Sequence, residues 1–355
     1  MKVEELARLS LTLCKIPSPT GEEKQIADYV QGWACQHFPP EEVVRIGHSL
    51  VVGRLESACP SIGFFGHLDT VPEHPQGAAF RIEGGKVWGR GSTDMKSGLA
   101  VMMGLAMELK HKTLPFNPIW VFYEAEEGSY EQNGLGPIME SLPALRAMAF
   151  GIALEPTDQT IMLGCMGSMH LSLVLQGKAA HSARPWQGEN AIHAAGPLLN
   201  MLAAQKPRDV NVDGHVFREV VSATWARAGK ALNVIPERFE LNLNHRFAPG
   251  KTIDEAFGEM HTLLSPYGLL RMTDASPPGK VCTDNPLFRK LLRDTGLPAQ
   301  PKQAWTDVGR LSSLGIEAVN FGPGETAQAH QQNEYASLES IATVYEGLKK
   351  FLLTP

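Results

Sequence analysis

The sequence predicts an α/β protein, a mixed and mostly parallel sheet flanked by helices, interrupted by an inserted α+β domain of ferredoxin-like order. Three observations predict it. Ile62 to Phe65, Ile119 to Tyr123 and Gly151 to Leu154 are short apolar runs bounded by turn residues, as in strands buried on both faces. Past about residue 165 apolar and polar residues alternate instead, which implies a sheet with one covered face. From about Ser276 the first style returns, and 355 residues exceed the usual size of one core. The expected division is therefore 1–166 with 275–355 as one discontinuous domain and 167–274 as the insert.

In chain order, Thr20-Gly21-Glu22-Glu23 has the spacing of a capping box, and Ile26, Tyr29, Val30 and Trp33 behind it recur at helical period. A helix over Gly98 to Lys110 separates two of the buried strands. Met169, Leu171, Leu173 and Leu175 alternate with His170, Ser172, Val174 and Gln176, which opens the insert with a strand. Asn190 to Ala204 reads as a helix weakened in the middle by Pro197. Phe239, Leu241, Leu243 and Phe247 alternate with Glu240, Asn242, Asn244 and Arg246 in a later strand. The order strand, helix, strand, strand, helix, strand suggests a split βαβ unit. A helix near Pro286 to Arg293 and a strand Glu317 to Phe321 complete the outer domain.

Composition excludes several function classes. A formal charge of -6 and no run of five or more Lys or Arg argue against nucleic acid as a partner. The longest apolar stretch, Gly98 to Met107, falls far short of the roughly 20 residues of a membrane span. Glu4 and Glu5 lie where a targeting segment would be basic. Five scattered cysteines without a Cys-x-x-Cys pair fit a reduced, cytoplasmic setting. Gly-x-Ser-x-Gly, His-Glu-x-x-His, P-loop and Gly-x-Gly-x-x-Gly motifs are all missing from the sequence.

The chemistry-bearing residues fall where apolar runs end, and in open α/β sheets that is where loops meet in one crevice. His67 and Asp69, two apart, can point the same way, so the carboxylate can fix the imidazole tautomer toward a metal. Alone, the pair also reads as a histidine satisfied in a turn. Asp94, before the helix at Gly98, reads equally as a helix cap and as a carboxylate bridging two metals, for which Gly89, Gly91 and Gly98 allow close approach. Glu126 and Glu127 follow a strand, and adjacency allows one to bind a cation while the other moves protons. Glu155 ends the next strand, and His330 follows the last. Three ligand carboxylates against two divalent ions leave one positive charge, which suits a hydroxide. Mixed imidazole and carboxylate ligation suits two Zn²⁺ per subunit, with Co²⁺ or Mn²⁺ as substitutes.

Together, Gly66-His67-Leu68-Asp69-Thr70-Val71-Pro72, Gly89-Arg90-Gly91, Asp94-Met95-Lys96-Ser97-Gly98, Glu126-Glu127-Gly128, Glu155-Pro156-Thr157 and Ala329-His330 resemble the M20 metallopeptidase family over nearly the whole chain. The resemblance implies a zinc-peptidase-like catalytic domain with a lid that also dimerises. It implies that His67 and Glu155 hold one metal, Glu127 and His330 the other, and that Asp94 bridges them, with a cis bond after it. Glu126 would be the general base and Asp69 the partner of His67. Within the insert, Ala180-His181-Ser182-Ala183-Arg184-Pro185 matches the family's dimerisation-domain histidine, so His181 would reach the partner subunit's cleft. Asn233 and Arg246 match substrate-contacting positions. Arg184, Arg246 and Arg310 are candidate carboxylate clamps, with Thr306 as a further substrate-binding residue in Trp305-Thr306-Asp307-Val308.

Within the family, Gly164-Cys165-Met166-Gly167 and Asn320-Phe321-Gly322-Pro323-Gly324 are most similar to the actinobacterial branch of succinyl-diaminopimelate desuccinylases. This implies release of succinate from N-succinyl-LL-2,6-diaminopimelate, in lysine and diaminopimelate biosynthesis. Cys165 and Met166 depart from the paired arginines of the proteobacterial enzymes. A deacylase or carboxypeptidase of another N-acyl amino acid, of acetylornithine or acetylcitrulline type, is the alternative.

Overall fold

The computed structural model describes residues 1–74, 76–77 and 79–355. The chain divides into two compact units, the first made of Met1–Gly164, Gly279–Lys302 and Thr306–Pro355, the second of Cys165–Pro278 and Gln303–Trp305. The short return of 303–305 to the second unit had no sign in the hydropathy pattern. Met166 N–H donates to the carbonyl of Ala304 there at 3.1 Å, a backbone contact that ties 303–305 to the start of the second unit.

The first unit is built on an eight-stranded sheet. Its centre is four parallel strands in the order Asn117–Tyr123, Ser61–His67, Phe150–Pro156 and Ala318–Gly322. Every residue of Phe150–Pro156 and of Ala318–Gly322 is buried, which explains runs without alternation. The strand Ser49–Val52 pairs antiparallel with Asn117–Tyr123, and Val43–Ile46 lies outside it. On the other side Ile161–Leu163 runs antiparallel to Ala318–Gly322 and carries Ala299–Pro301 at the edge. Parallel order places the carboxyl ends of the four central strands together.

The helix Ser97–Leu109 is apolar nearly all round, and its neighbours are the helices Val3–Cys14 and Leu338–Leu353 and the central strands. Gly98 lets it approach the sheet, since a Cβ there would stand 2.6 Å from the carbonyl oxygen of Leu154. The helix Pro286–Thr295 shows how local sequence sets its ends. Asn285 accepts from Leu287 and Phe288 N–H, Pro286 follows as a first helical residue, and Gly296 closes it at φ 70°.

Two helical expectations need correction. Thr20 does not cap the helix Lys24–His37, whose N-cap residue is Glu23 without a side-chain cap. Thr20 and Glu23 spend their hydrogen bonds elsewhere, on Asp69 and on the amides of Gly21 and Ala125. The segment 190–204 is two helices, Ala191–Ala194 and Gly196–Ala204, because Pro197 begins the second rather than weakening the middle of one.

The second unit carries an antiparallel five-stranded sheet, in the order Arg208–Val212, His215–Ala228, Arg238–Phe247, Gly167–Gln176, Leu269–Ser276. Four of these strands, with the helices after Gln176 and Phe247, make the expected split βαβ order. Arg208–Val212 is an added edge strand that the alternation did not reveal, since none of its residues is buried. Met169, Leu171, Leu173, Leu241, Leu243 and Phe247 form one core with Ala191, Leu198, Ala256 and Leu264 of the covering helices. Among the described residues no helix is long and apolar enough to cross a membrane.

Candidate metal centre

The loops after the four central strands bring seven of the predicted residues together in the first unit. His67 ends Ser61–His67 and is fully buried. Its Nε2 is 3.1 Å from Asp94 Oδ1 and 3.8 Å from Glu155 Oε1. Its Nδ1 is 3.0 Å from the main-chain oxygen of Asp69 and 3.4 Å from that residue's carboxylate. Nδ1–H therefore donates first to the carbonyl, which fixes the tautomer and leaves Nε2 facing the acids. On the other side, His330 Nε2 stands 2.8 Å from Glu127 Oε1 and 3.4 Å from Asp94 Oδ2. Asp94 thus lies between the two imidazoles, one oxygen toward each.

The carboxylate of Asp69 has a second task. Its Oδ1 accepts from Glu126 N–H at 3.0 Å, and its Oδ2 accepts from Glu127 N–H at 3.1 Å and from Thr20 Oγ1 at 2.9 Å. With Ala125 at φ 59°, a left-handed value that a non-glycine residue seldom adopts, the turn after Tyr123 is held so that both glutamates reach the cluster. Asp94 sits in Ser92–Lys96, a short helical segment broken at Asp94 and Met95, and the bond between those two is cis. Gly91 enters that segment at φ 79°, and a Cβ there would lie 2.7 Å from Thr70 Cγ2.

The electrostatics are those of acids crowded out of water. Burial, then the nearby Glu155, pushes the Glu126 carboxyl well above its ordinary value. Glu155 is pushed up to about 7 by burial and then by the charge of Asp94. Burial would also raise Asp94, but hydrogen bonds from His330 and His67 override it and hold the carboxyl low. Burial opposes charge on His67, and the bonds to Asp69 and Asp94 outweigh it and raise its pKa. His330 is carried up to about 10 by Asp94 and Glu127.

The residues fit divalent metal ions. Donor atoms of His67, Asp94 and Glu155 lie within 4.8 Å of one another, as do those of Asp94, Glu127 and His330, and those of His67, Glu126 and Glu127. Two of these sets share Asp94, as a bridging ligand requires. Glu155 Oε1 is buried and has no hydrogen-bond partner, an uncompensated acceptor that a cation would satisfy. Imidazole with carboxylate oxygen is a donor set for zinc or a similar borderline ion.

The remaining predicted residues stand elsewhere. Thr306 is buried and donates from Oγ1 to Asn320 Oδ1 at 2.7 Å. Arg310 is also buried; its Nε is 3.2 Å from Asp307 Oδ1, its Nη2 donates to the carbonyl of Tyr130, and its guanidinium lies 3.8 Å from the centroid of the Tyr130 ring. Its fork is committed within the first unit, so a clamp would have to draw it away from Asp307. In the second unit His181 and Asn233 come together. The ribbon Ala180–His181 pairs with Val234–Ile235, and Ser182 N–H donates to the Asn233 carbonyl at 2.9 Å. His181 and Arg184 are exposed, whereas Arg246 is half-buried with Nε donating to Asn244 Oδ1 at 2.8 Å.

One buried carboxylate beside the cluster was not singled out from the sequence. Glu334 is buried and accepts from the main-chain N–H groups of Gly91, Thr93 and Asp94 and from Arg90. Its signal was faint, an acid four residues past His330 in a segment that reads as solvated loop.

Residues 63–354 match the model of peptidase family M20/M25/M40. The chain belongs to the M20 family. A Corynebacterium glutamicum succinyl-diaminopimelate desuccinylase is 34% identical over 351 residues, covering 97% of this chain and 95% of its own. A Mycobacterium tuberculosis protein provisionally named succinyl-diaminopimelate desuccinylase DapE is 35% identical over 345 residues, covering 97% of each chain. Among solved structures, an M20 metallo-carboxypeptidase from Sulfolobus solfataricus superposes with a TM-score of 0.77 at 16% identity, over 99% of this chain and 98% of that one. That likeness bears on the M20 fold alone. With the donor set above, family membership makes this chain a metal-dependent hydrolase of a small-molecule substrate.

Proposed function

We propose that this M20 hydrolase binds two Zn²⁺ per subunit and releases succinate from N-succinyl-LL-2,6-diaminopimelate, a cytoplasmic step of lysine and diaminopimelate biosynthesis. The observation that carries the metal-dependent reading is the convergence of His67, Asp94, Glu127, Glu155 and His330 on shared donor sets around an orphaned Glu155 oxygen. The substrate is supported by the two actinobacterial relatives, each alike over nearly its whole length.

His67 and Glu155 would hold one ion, His330 and Glu127 the other, with Asp94 common to both. When bound, such ions supply Lewis acidity to an amide carbonyl and to water. The chain's own residues do the rest. Glu126 takes a proton from water and returns it to the leaving amine, a shuttle that needs a carboxyl held above its ordinary range by burial. Asp69 holds the main chain of Glu126 and Glu127 in place. His181, exposed on the second unit, would cross to the cleft of a partner subunit and steady the oxyanion, in a homodimer formed through that unit. The strand His215–Ala228 supports this, because Ser222 to Arg227 are exposed on both sheet faces, Trp225 among them. Arg246, Asn233 and Arg184 would contact the substrate's polar ends.

A second reading, hydrolysis of an acetylated amino acid, is favoured by Cys165 and Met166. Both are fully buried and neither can grip a succinyl carboxylate. A free-amine assay of zinc-loaded protein on N-succinyl-LL-2,6-diaminopimelate, acetylornithine and dipeptides separates the two. The succinyl substrate is expected to lead in kcat/KM by at least about tenfold, some 1.4 kcal/mol of transition-state discrimination. A lead for the acetyl substrate moves the assignment to the second reading, and hydrolysis of none sinks both. For the shared site, mixing His181→Ala with Glu126→Gln should restore part of the activity that each lacks. No recovery in hybrid dimers argues against it.

A further inference from the structure

We infer that Glu334 is a positioning residue that locks the loop of Asp94 to the loop of His330, and so sets the separation of the two metal positions. The inference rests on the metal-dependent reading above and concerns a side chain outside its ligand set. Glu334 Oε1 accepts from Thr93 N–H at 2.9 Å and Asp94 N–H at 3.0 Å. Its Oε2 accepts from Gly91 N–H at 3.0 Å and from Arg90 Nη1 at 2.8 Å. Four donors converge on one buried carboxylate, 1% exposed.

The main chain around it is arranged for this. Gly91 at φ 79° and the broken helical turn at Asp94 aim the amides of Gly91, Thr93 and Asp94 into one hollow, a nest that takes an anion, while Ser92 N–H between them donates to the Gly89 carbonyl. A carboxylate with its two oxygens can satisfy all four donors, whereas an amide of the same shape would set an NH₂ against two of them. Glu334 is also tied through its own backbone. Gly89 N–H donates to its carbonyl at 3.0 Å, and the strand Tyr335–Ser337 that follows pairs with Lys86–Trp88. Thr93 Oγ1 donates to the Tyr335 carbonyl at 2.5 Å.

These contacts close a ring. It runs from Asp94 N–H to the Glu334 carboxylate, back along 333–331 to His330, and from His330 Nε2 to Asp94 Oδ2 at 3.4 Å. His330 is half-exposed and stands at φ 64° on a segment without regular structure; besides this ring its imidazole meets Glu127 Oε1 at 2.8 Å. The carboxylate that both metals would share and the imidazole of the more exposed position are therefore registered to each other through Glu334.

The test uses the full chain with two readouts, zinc affinity by competition with a chromophoric chelator and hydrogen exchange of the segment 89–98 in chelator-treated protein. Glu334→Gln should raise exchange of the 91–94 amides and weaken zinc binding by about 10- to 100-fold, the range for partners that orient ligands. Arg90→Met keeps the three amide bonds and should bind zinc within about threefold of wild type. Should Glu334→Gln fail to fold, Glu334→Asp, too short to reach all three amides, should show the same two changes in smaller measure. Wild-type zinc affinity in the folded Glu334 variants overturns the inference, as does an equal loss in Arg90→Met, which would make charge rather than registration the cause. A wild-type protein that takes up no zinc would refute the proposed function instead, and unaltered exchange at 91–94 would then dispose of the Glu334 role independently.

Discussion

Two of the buried polar networks in the first unit, those around Lys290 and at the strand ends, are balanced in opposite ways. Around Lys290, the ammonium donates to Asp294 Oδ2, to the carbonyl of Phe351 at 2.9 Å and to Thr354 Oγ1 at 2.6 Å. Its three donors find three acceptors, and the one carboxylate has Lys290 at Oδ2 and Arg293 Nε 3.7 Å from Oδ1. The cluster at the strand ends holds Asp69, Asp94, Glu126, Glu127 and Glu155 against two imidazoles, and Glu155 keeps an acceptor with no donor. A complete network ties a helix to the chain terminus and asks for nothing more. An incomplete one, acidic and dry, has a place for added positive charge. The pKa values carry the same contrast. Burial would raise Asp294, but Lys290 overrides it and holds the carboxyl low, whereas burial and Asp94 leave Glu155 pushed up to about 7.

The largest effect that would sharpen this contrast is kinetic. Glu126→Gln should retain the fold and its metals and lose on the order of 10² to 10⁴ in kcat, the range for a removed acid-base group. Steady-state rates on the preferred substrate beside metal analysis would check it, and near-normal turnover would remove Glu126 from the mechanism. Next in size, zinc should stabilise the chelator-treated protein by about 2.7 kcal/mol at a hundredfold excess over Kd. Thermal unfolding reads this out, and a melting curve indifferent to zinc would break the claim that the acidic cluster lacks cations. Asp294→Asn gives no comparable response to metal. It should cost roughly 1.5–3 kcal/mol at neutral pH, as for a hydrogen bond to a charged group.

The pH dependence of the two carboxylates should run in opposite senses. Asp294 is depressed in the folded state, so its contribution is present above the ordinary carboxylate range and lost as pH falls below it. Wild type and Asp294→Asn should therefore converge in acid. Glu155 is raised, so in metal-free protein the folded state holds the extra proton between the ordinary range and about 7, and stability falls as pH rises through that window. In chelator, Glu155→Gln should gain on wild type toward pH 8 and lose the advantage toward pH 5. Denaturant midpoints across pH measure both, and parallel slopes would refute the contrast. The smallest effect separates the two imidazoles. Half-exposed His330→Ala should lower metal affinity with little change in metal-free stability, while fully buried His67→Ala should destabilise even the metal-free fold.

Much of this was legible in the letters. The buried strands announced themselves by uninterrupted apolar runs, and the insert by its change to alternation, because a strand's periodicity reports how many of its faces are covered. The cluster was legible as a conjunction, since acids and histidines at strand ends share a crevice whenever the sheet is parallel. Thr20 was misread, because a capping box and a donor to Asp69 have the same spelling. Asp69 was half read: its main-chain oxygen is the nearer partner of His67, and its carboxylate organises the turn of Glu126 and Glu127.

The sequence by itself determined the strand and helix periods, the two styles of sheet, the family and the residues that could carry a metal-dependent reaction. These follow from local chemistry and spacing, which a linear string preserves. Only the tertiary structure decided which hydrogen bonds those residues make: Arg310 bound to Asp307 and Tyr130, Glu334 gathering three amides 240 or more residues away, and Glu155 left with an unmet oxygen. Such choices depend on which groups packing has taken out of water and which donors are then within reach, and those distances exist only once the chain has folded.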